Sequence, residues 1–449
     1  MNGRRYYILT MGCQMNEADS RALAGALERR GFAPTTQPES ADLVVLNTCV
    51  VRKQAEDKAL ARLHALAALR RERPEMRVAM MGCLVGVHPP PDLGRRFPFV
   101  DIFLPPSNLG PLWPWLEGEI GALPPPEPAA ARDTAGDGCA PFRTPFRDDP
   151  IAYVPAVLGC SHACTYCIVP YRRGPERSRP PEAILDQIRA AAEQGAREVV
   201  LLGQIVDRYG ADRPDAGDLA DLLRATAAVP AIRRVRFLTS HPSYLSDRII
   251  RTVAEHSKVC PVFELPIQSG NDALLTAMRR GYTVDDYRRL VDRIRARLPE
   301  AAVHTDVIVG FPGETDARFE DTVRLIETLE FAKVHLAKYS PRPQTYAARR
   351  LKDDVPPEEK ERRHRRLDEI QKAIQARQNA VRRGRTVEVL VEGRDEKRGR
   401  WRGRTVDDRL VFFASDTARV GDLAPVRIEW AGPFTLVGTA EDGIRTPAG

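Results

Sequence analysis

The spacing of apolar and polar positions changes its rhythm along the chain. From residue 5 to about 118, short apolar runs (Tyr6 to Thr10, Leu43 to Asn47, Arg77 to Met81) alternate with stretches of helical spacing. These are Asp19 to Arg30 and Arg52 to Arg71, the second carrying a stripe of Ala59, Leu63, Leu66 and Leu69. Short apolar runs separated by helices are the pattern of a parallel sheet buried on both faces. From about Leu116 to Pro150 the rhythm is lost among proline, alanine and acidic residues, including Pro124-Pro125-Pro126 and the Gly136-Asp137-Gly138 turn, which is linker composition. It resumes at Ile151, with strands expected at Tyr153 to Leu158, Glu198 to Leu202, Arg234 to Leu238, Val259 to Pro266, Val303 to Val309 and Ala332 to Tyr339. Helices are expected between them at Pro181 to Gln194, Leu245 to His256, Val284 to Leu298 and Asp316 to Leu329.

Six unbroken βα units to about Leu351 predict a partial (β/α)6 barrel. Pro356 to Arg383 then reads as one long charged helix with Leu367, Ile370, Ile374 and Val381 along one side. Beyond Gly384 come five short strands, Thr386 to Val391, Arg400 to Thr405, Leu410 to Phe413, Leu423 to Trp430 and Phe434 to Ala440, the order of a small five-stranded β-barrel. The fold class is therefore α/β: an amino-terminal parallel-sheet domain (1–118), a linker (119–148), a barrel domain (149–380) and a carboxyl-terminal β-barrel (381–445).

Composition narrows this only slightly. With 43% hydrophobic and 29% charged residues, the 449-residue chain has the balance of a soluble globular protein. No run approaches 18 apolar residues, and the amino terminus leads into a strand rather than a signal peptide, so a cytoplasmic protein without a membrane partner is expected. A formal net charge of +7 permits a polyanionic partner without requiring one. Eight cysteines in a reducing compartment point to metals or catalysis rather than to disulfides.

Three of those cysteines share one loop, Gly159-Cys160-Ser161-His162-Ala163-Cys164-Thr165-Tyr166-Cys167, spaced C-x3-C-x2-C. Three soft thiolates so placed can hold three irons of a 4Fe-4S cube and leave the fourth open to a substrate or cofactor. Zinc is the other reading, although structural zinc sites usually need a fourth ligand and favour paired CxxC knuckles. Three more cysteines each follow an amino-terminal strand, in Gly12-Cys13-Gln14-Met15-Asn16, Asn47-Thr48-Cys49 and Gly82-Cys83. Along a parallel sheet those turns lie on one edge, where such folds bind ligands. A second iron–sulfur cluster with three protein ligands is expected there. Cys139, in the linker, reads as a bystander and Cys260, inside a strand, as core.

Around the barrel mouth the strand ends carry Gly203-Gln204, Thr239-Ser240-His241-Pro242, Pro266-Ile267-Gln268-Ser269-Gly270, Gly310-Phe311-Pro312-Gly313-Glu314 and Tyr339-Ser340-Pro341-Arg342-Pro343. Arg172 and Arg173, just after the cysteine loop, are candidates for phosphate contacts. In the last domain Arg394, Lys397, Arg398, Arg400, Arg402 and Arg404 are interleaved with Trp401. Cations for phosphates and an aromatic for a base suit a structured RNA, and a solubilising ribbon is the alternative.

The C-x3-C-x2-C loop with Tyr166 before its last cysteine resembles the radical S-adenosylmethionine (SAM) enzymes. Gly12 to Asn16, Asn47 to Cys49 and Gly82-Cys83 resemble the methylthiotransferases within them, over nearly the whole chain, and the last domain resembles the TRAM domain, an RNA-binding appendage. Leu84-Val85-Gly86 and Ile205 to Gly210 depart from that pattern. The resemblance implies two 4Fe-4S clusters, one on Cys160, Cys164 and Cys167 binding SAM, and an auxiliary one on Cys13, Cys49 and Cys83. It implies cofactor contacts from Tyr166, Gly203, Gln204, Gln268, Val309 and Gly310, and RNA contacts from Arg172, Arg173, Arg400, Trp401, Arg402 and Arg404. It further implies MiaB-type methylthiolation at C2 of isopentenylated adenosine beside the anticodon in the anticodon stem-loop of tRNA, by a monomer served by an electron donor such as flavodoxin or ferredoxin and by a sulfur donor. Threonylcarbamoyladenosine in tRNA and an aspartate of a ribosomal protein are the alternative targets, and a non-catalytic iron–sulfur RNA-binding or electron-transfer protein is the alternative class.

Overall fold

The computed structural model describes residues 4–50, 53–121, 123 and 149–445. In the amino-terminal part five parallel strands lie in the order Ala33–Pro34, Arg5–Thr10, Leu43–Thr48, Arg77–Gly82, Ile102–Leu104. Because side chains alternate across a strand, the apolar runs supply two cores. Val44, Leu46, Val78 and Met80 pack with Leu63 and Leu66 of the helix Lys53–Glu72. Leu43, Val45, Ala79 and Met81 pack with Leu23 and Leu27 of the helix Gln14–Glu28 and with Leu112 and Leu116 of the helix Leu112–Ile120.

Two boundaries differ from the sequence pattern. The first helix starts at Gln14, directly after its N-cap Cys13, not at Asp19. Its first turn is polar because the buried Asn16 amide donates to Asn47 Oδ1 (2.8 Å) and to the Thr48 carbonyl (2.9 Å), a partnership invisible to hydrophobic spacing. The helix Leu112–Ile120 occupies the start of the expected linker, its Leu112 and Leu116 buried in the second core. Residues 124–148, with Cys139, lie outside the described residues.

The central part carries six strands, Ile151–Pro155, Glu198–Leu202, Arg234–Leu238, Val262–Glu264, Ala302–Val309 and Lys333–Lys338, adjacent in chain order. They form two three-stranded parallel sheets that meet where Val235 bridges to Val259 and the Ser240 N–H donates to the Glu264 carbonyl (3.0 Å). The first strand ends earlier than its apolar run: Val157–Leu158 turns away to pair antiparallel with Arg177–Ser178, and that ribbon presents the cysteine loop. The fourth strand shrinks to three residues. The long helix Pro357–Ala380 packs on the last strand, inserting Leu367 and Ile374 into the barrel core and donating from Gln371 and Gln375 to the Phe331 and Ala332 carbonyls.

At the carboxyl terminus five strands close a barrel in the order Thr386–Asp395, Arg400–Thr405, Leu410–Ala414, Thr435–Ala440, Leu423–Ala431. It is fastened to the central part through two buried arginines of the strand Arg234–Leu238. Arg234 donates to the Arg404 and Glu388 carbonyls, and Arg236 to the Thr405 (2.8 Å) and Val406 (3.0 Å) carbonyls while pairing with the buried Glu198 at 3.0 Å. No helix among the described residues is long and apolar enough to cross a membrane.

Arg236→Ala strands the Glu198 carboxylate without a cation, and breaking a buried pair in this way costs about 3–5 kcal/mol. Limited proteolysis in rising denaturant should show the variant releasing the carboxyl-terminal barrel well before the parent protein does.

Candidate active site

The strand ends bring the six cysteines to two adjoining places. Cys13, Cys49 and Cys83 follow three adjacent parallel strands and line one cavity of about 600 Å³. Cys160, Cys164 and Cys167 line a second cavity of about 270 Å³ at the mouth of the partial barrel. Val169, Gln204, Thr239 and Asp306 belong to the walls of both.

Local backbone chemistry explains why these loops take their shapes. Gly82 sits at φ +94°, where a Cβ would stand 2.5 Å from the Thr48 carbonyl oxygen. Gly159, at φ +69°, has less room still, since a Cβ would stand 2.1 Å from the Pro175 carbonyl oxygen. The cysteine loop is pinned from several segments: Cys160 N–H donates to the Gly174 carbonyl (3.0 Å), Thr165 N–H to the Met278 carbonyl (3.1 Å), and Ala347 N–H to the Thr165 carbonyl (2.8 Å).

The charges around the thiols are sparse and buried. Arg173 donates to Cys83 Sγ (3.3 Å) and pairs with Asp19 at 3.1 Å, both side chains being 3% exposed. Arg280 donates to Cys164 Sγ (3.4 Å), to the Pro266 carbonyl (2.9 Å) and to Tyr282 Oη (2.9 Å). Burial pushes the Cys160 thiol up to about 11 and the Cys167 thiol up to about 12, so without a metal both keep their protons at neutral pH. On the wall of the larger cavity, burial and the neighbouring Asp306 push Glu264 up to about 7.

Two observations mark the smaller cavity as built for a polar ligand. Thr239 and Gln268 line it at φ +68° and +75°, left-handed conformations that cost side-chain-bearing residues energy and gather at functional sites. Ser240 Oγ and His241 Nε2, also on its wall, are buried without a hydrogen-bond partner. The Ser243 N–H donates to His241 Nδ1 (3.2 Å), and burial with nearby cations holds this imidazole down to about 2; the ring is therefore neutral with its hydrogen on Nε2.

Of the other residues singled out by sequence, Tyr166 and Gln268 line the smaller cavity, Gly203 the larger one and Gln204 both. Val309 and Gly310 do not line either. On the strand Ala302–Val309 it is Asp306, Val307 and Ile308 that reach the cavity, while Val309 packs into the barrel core and Gly310 lies under the Lys360 side chain. Arg173 is an internal cation paired with Asp19, and Arg172 packs beside Gly86 where the two parts of the chain meet.

In the carboxyl-terminal barrel Arg402 is exposed and Arg400 half-buried. Trp401 instead packs on the barrel core and donates its indole N–H to the Ser415 carbonyl (3.0 Å), and Arg404 pairs with Glu392 (3.1 Å) and Asp408 (3.3 Å). The exposed aromatics of this barrel are Trp430 (53%) and Phe434 (59%), which no spacing rule marked out. Arg280 was also missed, because nothing in the sequence separates one buried arginine from the other Lys and Arg among 68.

The radical SAM superfamily profile matches residues 154–326, a profile described only as an uncharacterized protein family matches 5–105, and that of the TRAM domain matches 380–440. A tRNA-2-methylthio-N(6)-dimethylallyladenosine synthase of Chloroflexus aurantiacus is 43% identical over 98% of this chain and 92% of its own length. The chain belongs to that synthase family. Relatives of the same name in Roseiflexus sp. (44% identity, 97% of this chain and 89% of the relative) and Thermotoga petrophila (40%, 96% and 96%) agree. Among solved structures the fold is similar to the radical SAM methyltransferase TsrM of Kitasatospora setae, with a TM-score of 0.57 at 15% identity over 77% of this chain and 75% of that one.

Membership brings two 4Fe-4S clusters and SAM as cofactors. The residues fit them. Each triad brings three soft thiolates to one cavity and leaves a fourth corner open, the donor set of a 4Fe-4S cube with one free iron. The unpartnered Ser240 and His241 suit a polar cofactor.

Gly159→Ala should spring the cysteine loop, because the added methyl meets a backbone oxygen that cannot rotate away. In metal-free protein Cys160 and Cys167 should then react with a thiol reagent at nearly the rate of exposed Cys13; unchanged protection would show that the loop tolerates the methyl group.

Proposed function

We propose that the protein adds a methylthio group to C2 of N6-dimethylallyladenosine beside the tRNA anticodon. Cys160, Cys164 and Cys167 would hold the cluster that binds SAM, and Cys13, Cys49 and Cys83 the auxiliary cluster. The observation that supports this reading is that Val169, Gln204, Thr239 and Asp306 belong to the walls of both thiol-lined cavities, which sets the two triads on either side of one shared wall. When bound, the cofactors would supply one-electron cleavage of one SAM, able to activate an unreactive C–H bond, and the methyl group of another SAM for sulfur that is held at the auxiliary cluster and replaced by the separate sulfur donor.

The chain's own groups bind, orient and shield. Val169, Ile205 and Ile308 give the smaller cavity apolar walls that exclude water, and the polar atoms of Gln204, Gln268, Ser240 and His241 are set to fix a cofactor's orientation. Glu264, on the wall of the larger cavity, keeps its proton over the lower part of the neutral range. Arg400 and Arg402, with exposed Trp430 and Phe434, give the carboxyl-terminal barrel cations and stacking faces for the tRNA. The reading takes the chain as a cytoplasmic monomer, divided near 118, 148 and 380, served by a low-potential donor such as flavodoxin or ferredoxin and by a separate sulfur donor.

The test is mass spectrometry of tRNA nucleosides from a host lacking its own enzyme. Supplying this gene should produce the 2-methylthio form of N6-dimethylallyladenosine. Methylthiolation of threonylcarbamoyladenosine alone would move the substrate, and no change in tRNA would direct attention to the ribosomal-protein aspartate.

Single cysteine changes should separate the triads. Cys164→Ala should abolish 5′-deoxyadenosine formation from SAM, whereas Cys49→Ala should retain it and lose the methylthio product. Undiminished SAM cleavage by the first, or full product from the second, would overturn the respective ligand assignment.

A further inference from the structure

Each thiol triad contains one sulfur that accepts a hydrogen bond from a buried arginine, but the two arginines differ in what neutralises them. Arg173, bonded to Cys83, is paired with the buried Asp19 carboxylate, so that cation and anion cancel close to the sulfur. Arg280, bonded to Cys164, spends its other donors on the Pro266 carbonyl and the Tyr282 hydroxyl, and no carboxylate among the described residues pairs with it. The cavity walls lean the same way: the smaller cavity has two arginines, Arg280 and Arg342, against Asp306, whereas the larger has Arg173 alone beside the shared Asp306. Adding an electron to an iron–sulfur cluster adds negative charge, and an uncompensated buried cation hydrogen-bonded to a ligand sulfur favours the reduced form.

On the ligand assignment given above, we propose that Arg280 is a positioning residue that sets the potential of the Cys160, Cys164 and Cys167 cluster above that of the auxiliary cluster, so that a single electron from a low-potential donor settles beside SAM. Asp19 is the other half of the device: by cancelling Arg173 it keeps the auxiliary cluster the harder of the two to reduce.

The test is potentiometric titration with dithionite, without SAM, followed by electron paramagnetic resonance on protein containing one cluster at a time. Cys13→Ala/Cys49→Ala/Cys83→Ala isolates the first cluster, and Cys160→Ala/Cys164→Ala/Cys167→Ala the second. The first should have the higher midpoint. Arg280→Gln should lower that midpoint by about tenfold in the reduced-to-oxidised ratio at fixed poise, about 59 mV for one electron. Arg280→Lys, which keeps the charge, should recover much of the shift. Asp19→Asn should move the auxiliary midpoint upward with cluster content and electron paramagnetic resonance line shape unchanged, which separates the charge effect from water admitted by a loosened fold, and the shift remains measurable should the Arg280 variants fail to fold. If each triple variant loses one cluster yet the midpoints ignore Arg280 and Asp19, this inference fails and the ligand assignment stands. If either triple variant keeps both clusters, the assignment itself fails.

Discussion

The site depends on how the helix Gln14–Glu28 is seated between the two α/β parts of the chain. One side of it belongs to the amino-terminal core through Leu23 and Leu27. Met15 and Ala18 pack instead with Ile151, Leu158, Val200 and Leu202 of the partial barrel, and Arg21 donates to the Ile151 carbonyl (2.6 Å). Its N-cap is Cys13, and its first two turns supply Asn16 and Asp19. Asn16 reaches the strand that leads to Cys49, and Asp19 holds the arginine bonded to Cys83. A shift of this helix would therefore disturb all three amino-terminal thiols together with the wall they share with the barrel.

That arrangement places polar groups where solvent cannot satisfy them, and the structure compensates through dense internal bonding. Asn16 and Asn47 exchange side-chain hydrogen bonds with each other and with backbone, and Ser107 donates to the same Asp19 carboxylate that receives Arg173. Such a network is strong only while complete, because a buried charge that loses its partner retains the whole desolvation penalty. Ser240 Oγ and His241 Nε2 are the exceptions on the cavity wall, and an unsatisfied buried group beside strained backbone marks a place where a ligand completes the bonding.

Much of this was legible in the sequence. Apolar runs located the six barrel strands and the five strands of the small barrel because strand burial writes directly into hydrophobic spacing. The cysteines were legible because the turn after a parallel strand has a fixed place in the fold, so three thiols distant in sequence could be put on one edge. What spacing could not show was direction within a strand end. Val309 and Gly310 follow Ile308 directly, yet Val309 packs into the barrel core and Gly310 lies under the Lys360 side chain. Nor could it separate buried arginines from exposed ones. Arg173, Arg234, Arg236, Arg280 and Arg363 are all internal, and what identifies them is a carboxylate, sulfur or carbonyl supplied by a distant segment.

The same distinction divides the basic strand Arg400–Thr405. Its alternation turns Trp401, Gly403 and Thr405 toward the barrel interior, where a Cβ on Gly403 would stand 2.0 Å from the Leu390 carbonyl oxygen. The charges on the opposite side then take two tasks. Arg404 is held by Glu392 and Asp408, and its carbonyl receives Arg234, so that end of the strand is part of the joint to the central domain. Arg402, two residues earlier, remains exposed. A strand that joins the barrel to the catalytic body at one end and presents a cation at the other fixes that exposed basic edge relative to the cavities without a separate element to do so. Because the joint consists largely of arginine bonds to backbone carbonyls, it constrains main-chain position more than side-chain identity, and leaves the neighbouring exposed positions outside the joint.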